Sequence, residues 1–344
     1  MKKRKVLTFI LLPVLLAAAL VLSVGIGAVR VAPVSLFRIL LHGIGFPSVA
    51  LPDQRDVTII LFLRLPRVIA AMLVGSSLAV CGVVMQGLFR NPMASPEILG
   101  VSAGGSLGAV LAITSGLAAA SLYALPVFTV AGALLSATVI YFLSTSRGAT
   151  SLLYIVIAGM AISSFFNGLT SVLLLFSNEY EISRYIFWTM GGLDSRTWQH
   201  ILIALPVLVP GMAALAFFAR ELNLFSLGEE GALSLGVRVE WTKRALLAVS
   251  ATVTGVTIAV AGPIGFVGLL VPHFFRLIVG ADHRVLIPAS ALGGALFLIL
   301  CDLVGRAIVP PFEIRVGIVT GILGAPYLLS LIVRTQRRGA KART

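Results

Sequence analysis

Eight long stretches of this chain contain no aspartate, glutamate, lysine or arginine, and this pattern restricts the fold more than any other feature. Only 11% of the 344 residues are charged, whereas a soluble domain carries about 25%, so a soluble fold of this length would lack polar groups for its surface. A bilayer needs about 20 apolar residues for each helical crossing. The sequence therefore predicts an all-α polytopic membrane protein. The uncharged stretches are residues 6–29, 68–89, 98–146, 148–178, 197–219, 245–275, 285–301 and 316–333.

The lengths of these stretches predict ten membrane spans, numbered 1 to 10 along the chain. Residues 98–146 have room for two spans separated near residues 115–126, and residues 245–275 are divided at Gly262-Pro263. The first stretch is longer than the apolar core of a signal peptide and predicts a retained first span. Residues 148–178 are compatible with one long helix or with a helix followed by a re-entrant segment.

The distribution of basic residues predicts the orientation of the spans. The chain has 26 Lys and Arg against 13 Asp and Glu, a net charge of +13. With ten spans and both termini in the cytoplasm, 17 of the 26 basic residues lie in cytoplasmic segments and 9 in external segments, which follows the positive-inside rule. This excess is typical of a multi-pass protein of the cytoplasmic (inner) membrane, in contact with lipid, and not of a protein that binds nucleic acid.

A weak internal repeat is found when the chain is compared with itself at a shift of 180 residues. Nine of the 37 positions between 64 and 100 are identical, including Gly75 with Gly255 and Gly82 with Gly262. The shift moves span 2 onto span 7, so the two copies, spans 2–5 and 7–10, cross the membrane in opposite directions. Inverted repeats of this kind are typical of transporters, whose pathway lies between the two halves. The alternative is chance similarity between segments rich in glycine and alanine.

Several classes of function lack the residues that they need. No Gly-x-x-x-x-Gly-Lys-Ser/Thr motif is present, so the chain has no P-loop of its own. The histidines and the two cysteines, Cys81 and Cys301, have no metal-ligand or nucleophile spacing, which predicts no metal site, no catalytic residue and no cofactor bound by this chain. The uncharged stretches contain no carboxylate of the kind that ion-coupled carriers use, and Asp302 is placed to pair with Arg306 four residues later.

Helix-breaking and small residues mark candidate positions along a transport pathway. Asn91-Pro92 and Pro272-His273 are expected to interrupt helices, because proline lacks a donor and crowds the preceding turn. Interruptions at membrane depth must be buried in protein or face water. Each pair is equally compatible with a plain cytoplasmic helix end, and the small residues are compatible with close helix packing. The pathway or gate candidates are Asn91, Pro92, Ser102, Gly104, Gly105, Pro272 and His273.

The motifs of the chain also occur in a recognisable order. Arg64-Leu65-Pro66-Arg67 leads into span 2, Leu99-Gly100-Val101-Ser102 opens span 3, and Gly262-Pro263-Ile264-Gly265 separates spans 7 and 8. A charged segment, residues 221–243, lies between spans 6 and 7 on the predicted cytoplasmic side. In this combination the chain resembles the permease subunits of ATP-binding-cassette importers for iron-siderophores, heme and cobalamin.

The resemblance implies a type II importer permease, with residues 1–344 as one transmembrane domain. It implies a second permease copy in a homodimer or a close heterodimer, two separate subunits that bind and use ATP, and an external substrate-binding protein. At the predicted outer ends of spans 2 and 9, Arg64, Arg67 and Arg306 would receive glutamates of the binding protein; alternatively, Asp302 occupies Arg306 and the other two anchor a helix end. The charged segment would couple the permease to the ATPase or would be a solvated loop. Its candidate coupling residues are Leu227, Gly228, Glu229, Glu230, Ser234, Leu235 and Gly236.

The resemblance thus implies a membrane-spanning permease, with no enzymatic activity of its own, that carries a bulky iron chelate inward by alternating access. A ferric siderophore is the expected substrate, and heme, cobalamin and oxyanions are alternatives. The alternative from another class is an ion-coupled secondary transporter, which would use the same inverted-repeat architecture.

Overall fold

A computed structural model describes residues 2–27, 29, 31–43, 52–146, 148–309 and 311–341 of the chain. Arg30 and Arg147, which contribute to the charge asymmetry, lie outside these described residues. The regular structure within them is helical apart from one antiparallel hairpin of two short strands. The first half contains α1 (Lys2–Gly25), α2 (Pro33–Gly43), α3 (Gln54–Thr58), α4 (Leu65–Leu88), α5 (Val101–Thr114), α6 (Leu117–Ala120), α7 (Ala124–Leu143), β1 (Thr145–Ser146) and β2 (Ala149–Thr150).

The second half continues as helices joined by short connections. Its elements are α8 (Leu152–Leu175), α9 (Glu179–Thr189), α10 (Trp198–Phe217), α11 (Ala219–Phe225), α12 (Glu229–Ser234), α13 (Val239–Ala261), α14 (Val267–Val279), α15 (His283–Ala307) and α16 (Val316–Lys341).

The predicted all-α polytopic membrane fold is confirmed. Among the described residues, seven helical segments are long and apolar enough to cross a membrane: α1, α3 continuing into α4, α7, α8, α10, α13 and α15. Three shorter apolar helices, α5, α14 and the first part of α16, occupy the positions predicted for spans 3, 8 and 10. An apolar helix therefore lies at each of the ten predicted positions, and seven of these helices are long enough to cross a membrane. The stretch 148–178 contains one long helix, α8, which settles the alternative left open by the sequence in favour of a single helix.

Span 2 begins earlier than its charge-free stretch. Helical structure runs from Gln54 to Leu88 without a break, and the segment Ile59–Arg64 is a π-helix. Pro66 has no N–H to give to the carbonyl four residues earlier, and the wider turn before it lets the N–H of Leu65 reach the carbonyl of Ile60 instead. Arg64 and Arg67 therefore lie within a helix and not in the loop that precedes it.

α4 is the most buried span of the molecule among the described residues. Gly75 lies so close to α15 that a Cβ at this position would overlap the carbonyl of Gly294, and Gly82 approaches α14 in the same way. Gly255 of α13, the repeat equivalent of Gly75, packs against α7, where its Cβ would lie 3.1 Å from that of Ala133. In the predicted repeat, span 2 (α4) corresponds to span 7 (α13) and span 4 (α7) to span 9 (α15). The pairs α4 with α15 and α13 with α7 are therefore equivalent by span order, and this packing agrees with the inverted repeat.

Candidate functional site

The predicted functional residues lie on two opposite faces of the molecule and in the region between them. Arg64 and Arg67 stand at the beginning of α4, close to the C-terminal ends of α1 and α15, and define the arginine face. Near the other end of α4, Gly87 lies against Leu222 of α11 and His283 of α15. This end, together with the neighbouring α12, is called the α12 face.

Two of the three predicted docking arginines are buried and hold the end of α1. Arg64 is 7% exposed and donates hydrogen bonds to the carbonyl oxygens of Val24 and Gly25, both at 2.8 Å. Arg306 is 4% exposed and donates to the carbonyl oxygen of Ser23 at 3.0 Å. The last carbonyls of a helix have no partner within it, and a cation near them is favourable. Arg64 and Arg306 therefore anchor α1 to α4 and α15.

Arg67 and Arg306 share one buried carboxylate. The guanidinium of Arg67 holds both oxygens of Asp302, at 2.8 to 3.1 Å, and the Nε of Arg306 donates to the same group at 3.1 Å. Arg67 also donates to Glu313 at 2.6 Å. The three arginines lie together as predicted, but each has partners inside the subunit, which is the arrangement expected of the anchoring alternative. Their role in docking stays a prediction.

A fourth arginine on this face was not singled out by the sequence pattern. Arg196 follows Ser195, whose φ of 57° lies in the left-handed region, and both line a cleft of about 470 Å³ together with Arg67. The Nε of Arg196 has no hydrogen-bond partner among the described residues. Burial lowers the pKa of the Arg196 guanidinium, while Asp194 opposes that shift. Arg196 is therefore a half-buried cation of the arginine face whose Nε has no partner among the described residues.

The predicted coupling segment forms the two short helices α11 and α12. Gly228 and Gly236 have φ angles of 96° and 84° and lie on either side of α12, a conformation that only glycine adopts readily. Leu227, Leu233 and Leu235 are each more than half exposed. Exposed apolar side chains on a short polar element are typical of a protein-docking surface.

The coupling segment is shorter than predicted at its C-terminal end. α13 begins at Val239, so residues 239–243 are the first turn of a span and not part of a loop. Within α12 the hydroxyl of Ser234 donates to the carbonyl oxygen of Glu230, four residues earlier, at 2.9 Å. The part of the predicted segment that lies outside α13 is residues 221–238, and its role in coupling stays a prediction.

A buried lysine that the sequence pattern does not indicate joins this segment to its surroundings. Lys243 of α13 is 1% exposed, and its Nζ donates to Glu229 at 2.6 Å and to Glu240 at 3.1 Å. It also donates to the carbonyl oxygen of Thr150 at 3.0 Å, while Glu240 accepts the backbone N–H of Thr150 at 2.9 Å. Lys243 thereby connects α12, the β1–β2 hairpin and α13.

α11 is fixed to α15 by a separate set of hydrogen bonds. The side-chain amide of Asn223 donates to Asp282 at 2.8 Å, and its oxygen accepts the backbone N–H of His283 at 2.9 Å. The hydrogen bond from Asn223 is the main cause that lowers the pKa of the Asp282 carboxyl below its usual range. α11 and α12 therefore have different attachments: α11 is bonded to α15, and α12 is bonded to Lys243 of α13, which also holds the hairpin.

The glycines predicted as pathway residues lie between helices. A Cβ at Gly104 would overlap the carbonyl of Gly132 on α7, and a Cβ at Gly105 would lie 3.3 Å from Thr129 and 3.4 Å from Ile258. Both glycines are buried. Their positions correspond to the close-packing alternative, because α5 and α7 can approach so closely only where side chains are absent.

The two predicted helix breaks have different outcomes. α4 ends at Leu88, and residues 89–95 before the 3₁₀ turn Pro96–Leu99 are not helical, so Asn91-Pro92 lies between two helices, which fits both the predicted interruption and the plain helix end. The break predicted at Pro272 is wrong, because α14 continues through it from Val267 to Val279. Pro272 cannot donate to the carbonyl of Gly268, and the side chain of Gln86 donates there at 3.5 Å and to the next carbonyl at 3.2 Å. His273 packs edge-on against Tyr327 of α16, with ring centroids 6.2 Å apart.

Ser102 borders a cleft that also contains a carboxylate. The cleft has a volume of about 200 Å³ and lies between the 3₁₀ turn, α4, α13 and the connection 262–266. Glu97 is exposed in it and has neither a hydrogen bond nor an ion pair through its side chain among the described residues. The sequence pattern places Glu97 in a cytoplasmic loop outside the spans. The structure instead folds that loop back among the helices.

The comparison with known proteins agrees with this architecture. A family model for the FecCD transport family matches residues 15–334. The chain is 41% identical over 329 residues to a cobalamin import system permease protein of Halobacterium salinarum, covering 93% of this chain and 88% of that protein. It is also 41% identical to a hemin transport system permease protein of Yersinia pestis, covering 80% and 83% of the two chains, and to an Fe(3+) dicitrate transport system permease protein of Escherichia coli, covering 79% and 84%.

Among solved structures, a metal-chelate type ABC transporter in an inward-facing conformation matches with a TM-score of 0.82 and 33% identity, covering 94% of this chain and 97% of that one. A family model that matches more than nine-tenths of the chain, together with relatives above 40% identity, establishes the family of this chain. The chain belongs to the FecCD transport family and is an integral membrane permease subunit of an ATP-binding-cassette importer.

Proposed function

We propose that this permease carries a bulky metal chelate across the cytoplasmic membrane, with a ferric siderophore as the substrate and heme or a corrinoid as alternatives. The relatives are named for cobalamin, hemin and ferric dicitrate, all of which are large metal complexes. The observation that carries the proposal is the pair of opposite faces on one helical unit. One face holds an arginine cluster, and the other holds a short helix between exposed leucines.

The α12 face is the side on which the ATPase subunits dock. Leu227, Leu233 and Leu235 supply apolar area, and Glu229 and Glu230 at the start of α12 add charge. A partner with an apolar groove and a basic rim fits this surface. ATP is bound and hydrolysed by that partner, because the chain has no P-loop. This face is cytoplasmic, together with both termini, as the distribution of basic residues supports.

The arginine face is the external side, on which the substrate-binding protein docks. Arg67 and Arg196 are the cations through which a carboxylate of that protein is held, since Arg64 and Arg306 are buried against α1. The planar guanidinium suits a carboxylate because two parallel hydrogen bonds can form.

The working unit contains two copies of this chain around one central pathway, with two ATPases and one binding protein. Residues 1–344 act as a single domain in each copy. ATP binding moves α12, Lys243 transmits this movement to the β1–β2 hairpin and α13, and the two permeases alternate between outward and inward access. The interruption at Asn91-Pro92 and the face bearing Ser102 line the pathway during this change.

Reconstitution tests this function directly. The permease is incorporated into liposomes with its ATPase partner inside and its binding protein outside, and uptake of a radiolabelled ferric trihydroxamate, heme and cyanocobalamin is measured. We expect uptake of a metal chelate only when ATP and the binding protein are both present. Uptake that follows an imposed proton or sodium gradient in the absence of ATP would overturn the proposal and favour a secondary transporter.

A further inference from the structure

Glu97 is an acidic residue whose position none of the functional arguments above explains. It lies in the 3₁₀ turn Pro96–Leu99, between the interruption after α4 and the start of α5. Its side chain is exposed at the surface of the subunit, and a Cβ at Gly265 would lie 3.6 Å from its Oε1. Among the described residues no cation or hydrogen-bond donor contacts the carboxylate. The group is therefore uncompensated within the subunit.

The cleft around Glu97 lies at membrane depth. Its wall includes Leu78, which is ten residues from the C-terminal end of α4 and thirteen from its beginning, about 15 and 20 Å along the helix. Thr254 and Thr257 of α13 and the connection 262–266 also line the cleft. α14 then needs thirteen residues, about 20 Å, to return to the α12 face. Glu97 thus lies at a depth between the arginine face and the α12 face, well away from both.

In the two-copy unit proposed above, an exposed carboxylate at this depth faces either lipid or the space between the two copies. Charged side chains within a membrane are found facing a water-filled cavity or a partner charge, because hydrocarbon does not solvate them. Non-helical backbone, such as the turn that carries Glu97, is tolerated at this depth under the same condition. Lipid is therefore excluded, and the face of the subunit that bears Glu97 borders water.

We propose that Glu97 projects into the aqueous translocation pathway and selects substrates by their charge. This proposal rests on the proposed transport function. Glu97 is the one charged side chain among the described residues that line this cleft, and the hydroxyl groups of Ser95, Ser102 and Thr257 accept as well as donate hydrogen bonds. Such a lining favours a chelate that offers N–H or O–H donors and carries no net negative charge on the contacting side. It disfavours chelates whose surface consists of carboxylates or catecholates, because like charges repel across the cleft.

The ratio of two uptake rates tests the selection. Glu97→Gln keeps the size of the side chain and removes its charge. Uptake of a neutral ferric trihydroxamate and of a triply negative ferric tris-catecholate is measured in the reconstituted importer, and each chelate is supplied bound to the binding protein. We expect the ratio of anionic to neutral uptake to rise about fivefold or more, the size expected of one unit charge in a partly hydrated site. Glu179→Gln removes an exposed acid of α9, outside the cleft, and leaves the ratio unchanged. An unchanged ratio in Glu97→Gln would overturn the proposal.

A labelling experiment keeps the proposal testable without transport. Glu97→Cys is treated with a membrane-impermeant, water-soluble thiol reagent. The wild type, whose Cys81 and Cys301 are buried, gives the background labelling. We expect residue 97 to react in at least one nucleotide state, because the pathway contains water. Protection of residue 97 in every state would contradict the aqueous pathway at this position. If the wild type transports no chelate but residue 97 reacts, the proposed function fails and the assignment of an aqueous face stands.

Discussion

The two faces of the molecule each contain one network of buried charges, and the networks join different kinds of elements. On the arginine face, Asp302 and its arginines connect α1, α4 and α15, three long helices. On the α12 face, Lys243 connects a helix of six residues and a two-residue hairpin to α13. Long helices packed along their length do not shift one at a time, whereas a short helix or a hairpin can move by itself. The comparison therefore assigns the arginine network the role of an anchor and the lysine network the role of a joint.

Removal of the shared carboxylate should break the anchor. Asp302→Ala leaves the guanidinium groups of Arg67 and Arg306 facing each other without their common partner, and loss of one member of a buried ion network costs about 3 to 5 kcal/mol. We expect a large fall in Tm of the purified permease. Unfolding is measured by the reactivity of Cys81 and Cys301, whose thiols are buried in the folded protein. Glu313→Gln is the matched control, since this partner of Arg67 is partly exposed and should cost less than about 1 kcal/mol. Equal Tm values for the two variants would contradict the anchor.

Removal of the buried lysine should break the joint and leave the fold in place. In Lys243→Met, Glu229 and Glu240 remain partly exposed and can be solvated, so we expect little change in Tm. The hydrogen bonds that connect α12 with the hairpin are lost, and each charged hydrogen bond contributes about 1.5 to 3 kcal/mol. The number of ATP molecules consumed for each chelate transported should rise about tenfold or more. Arg244→Met is the control, because Arg244 is exposed and its contacts among the described residues are one long hydrogen bond to Gly148 in the turn of the hairpin and a cation–π contact with Tyr141. A normal ratio in Lys243→Met would assign the joint to another residue.

The arginine face can be divided further into anchoring and docking residues. Arg196→Gln should weaken binding of the substrate-binding protein about tenfold, as expected for loss of a charge-assisted contact, with no change in Tm. Arg64→Gln should lower Tm and leave binding of the substrate-binding protein unchanged, because Arg64 is bonded to the end of α1. Binding by surface plasmon resonance and thermal unfolding of the same preparations separate the two effects. If Arg64→Gln weakens binding and leaves Tm unchanged, the division is wrong.

The attachment of α11 to α15 gives the smallest expected effect. Asp282 caps the start of α15 and accepts a hydrogen bond from Asn223, so Asp282→Ala should cost about 1 kcal/mol. The pKa of the Asp282 carboxyl is lowered in the folded protein, so its contribution is present above the ordinary pKa near 4 and is lost as the pH falls through the folded value. Tm measured between pH 7 and pH 3 should therefore converge for the wild type and Asp282→Ala at acid pH. A constant difference over that range would contradict this assignment.

The course of the spans could be predicted from the sequence because it depends on hydrophobicity alone. Uncharged stretches located the ten apolar helices, and Gly262-Pro263 located the end of α13, since this pair cannot continue a helix. The start of span 2 was missed because Arg64 and Arg67 are buried by pairing with carbonyl oxygens and with Asp302. Charge within one stretch of sequence does not reveal a partner that is distant along the chain.

The sites were predicted less completely, because they depend on contacts between distant residues. Pro272 was expected to end a helix, but Gln86 of α4 donates to the carbonyl that the proline leaves free. Lys243 resembles an ordinary basic residue at a membrane surface until the hairpin packs over it. Glu97 lies between two uncharged stretches, in the segment that also contains Arg90, and only the short length of α5 shows that this segment returns into the bundle.

Distances between spin labels test the distinction between anchor and joint most directly. One pair, Ala149→Cys with Arg284→Cys, reports on the hairpin relative to α15, and the other, Gln54→Cys with Phe312→Cys, reports on the arginine face. In the complex with the ATPase, the account predicts that ATP binding changes the first distance by several ångströms and leaves the second unchanged, and that Lys243→Met abolishes the first change. A first distance that does not respond to ATP, or that responds equally in Lys243→Met, would contradict the account.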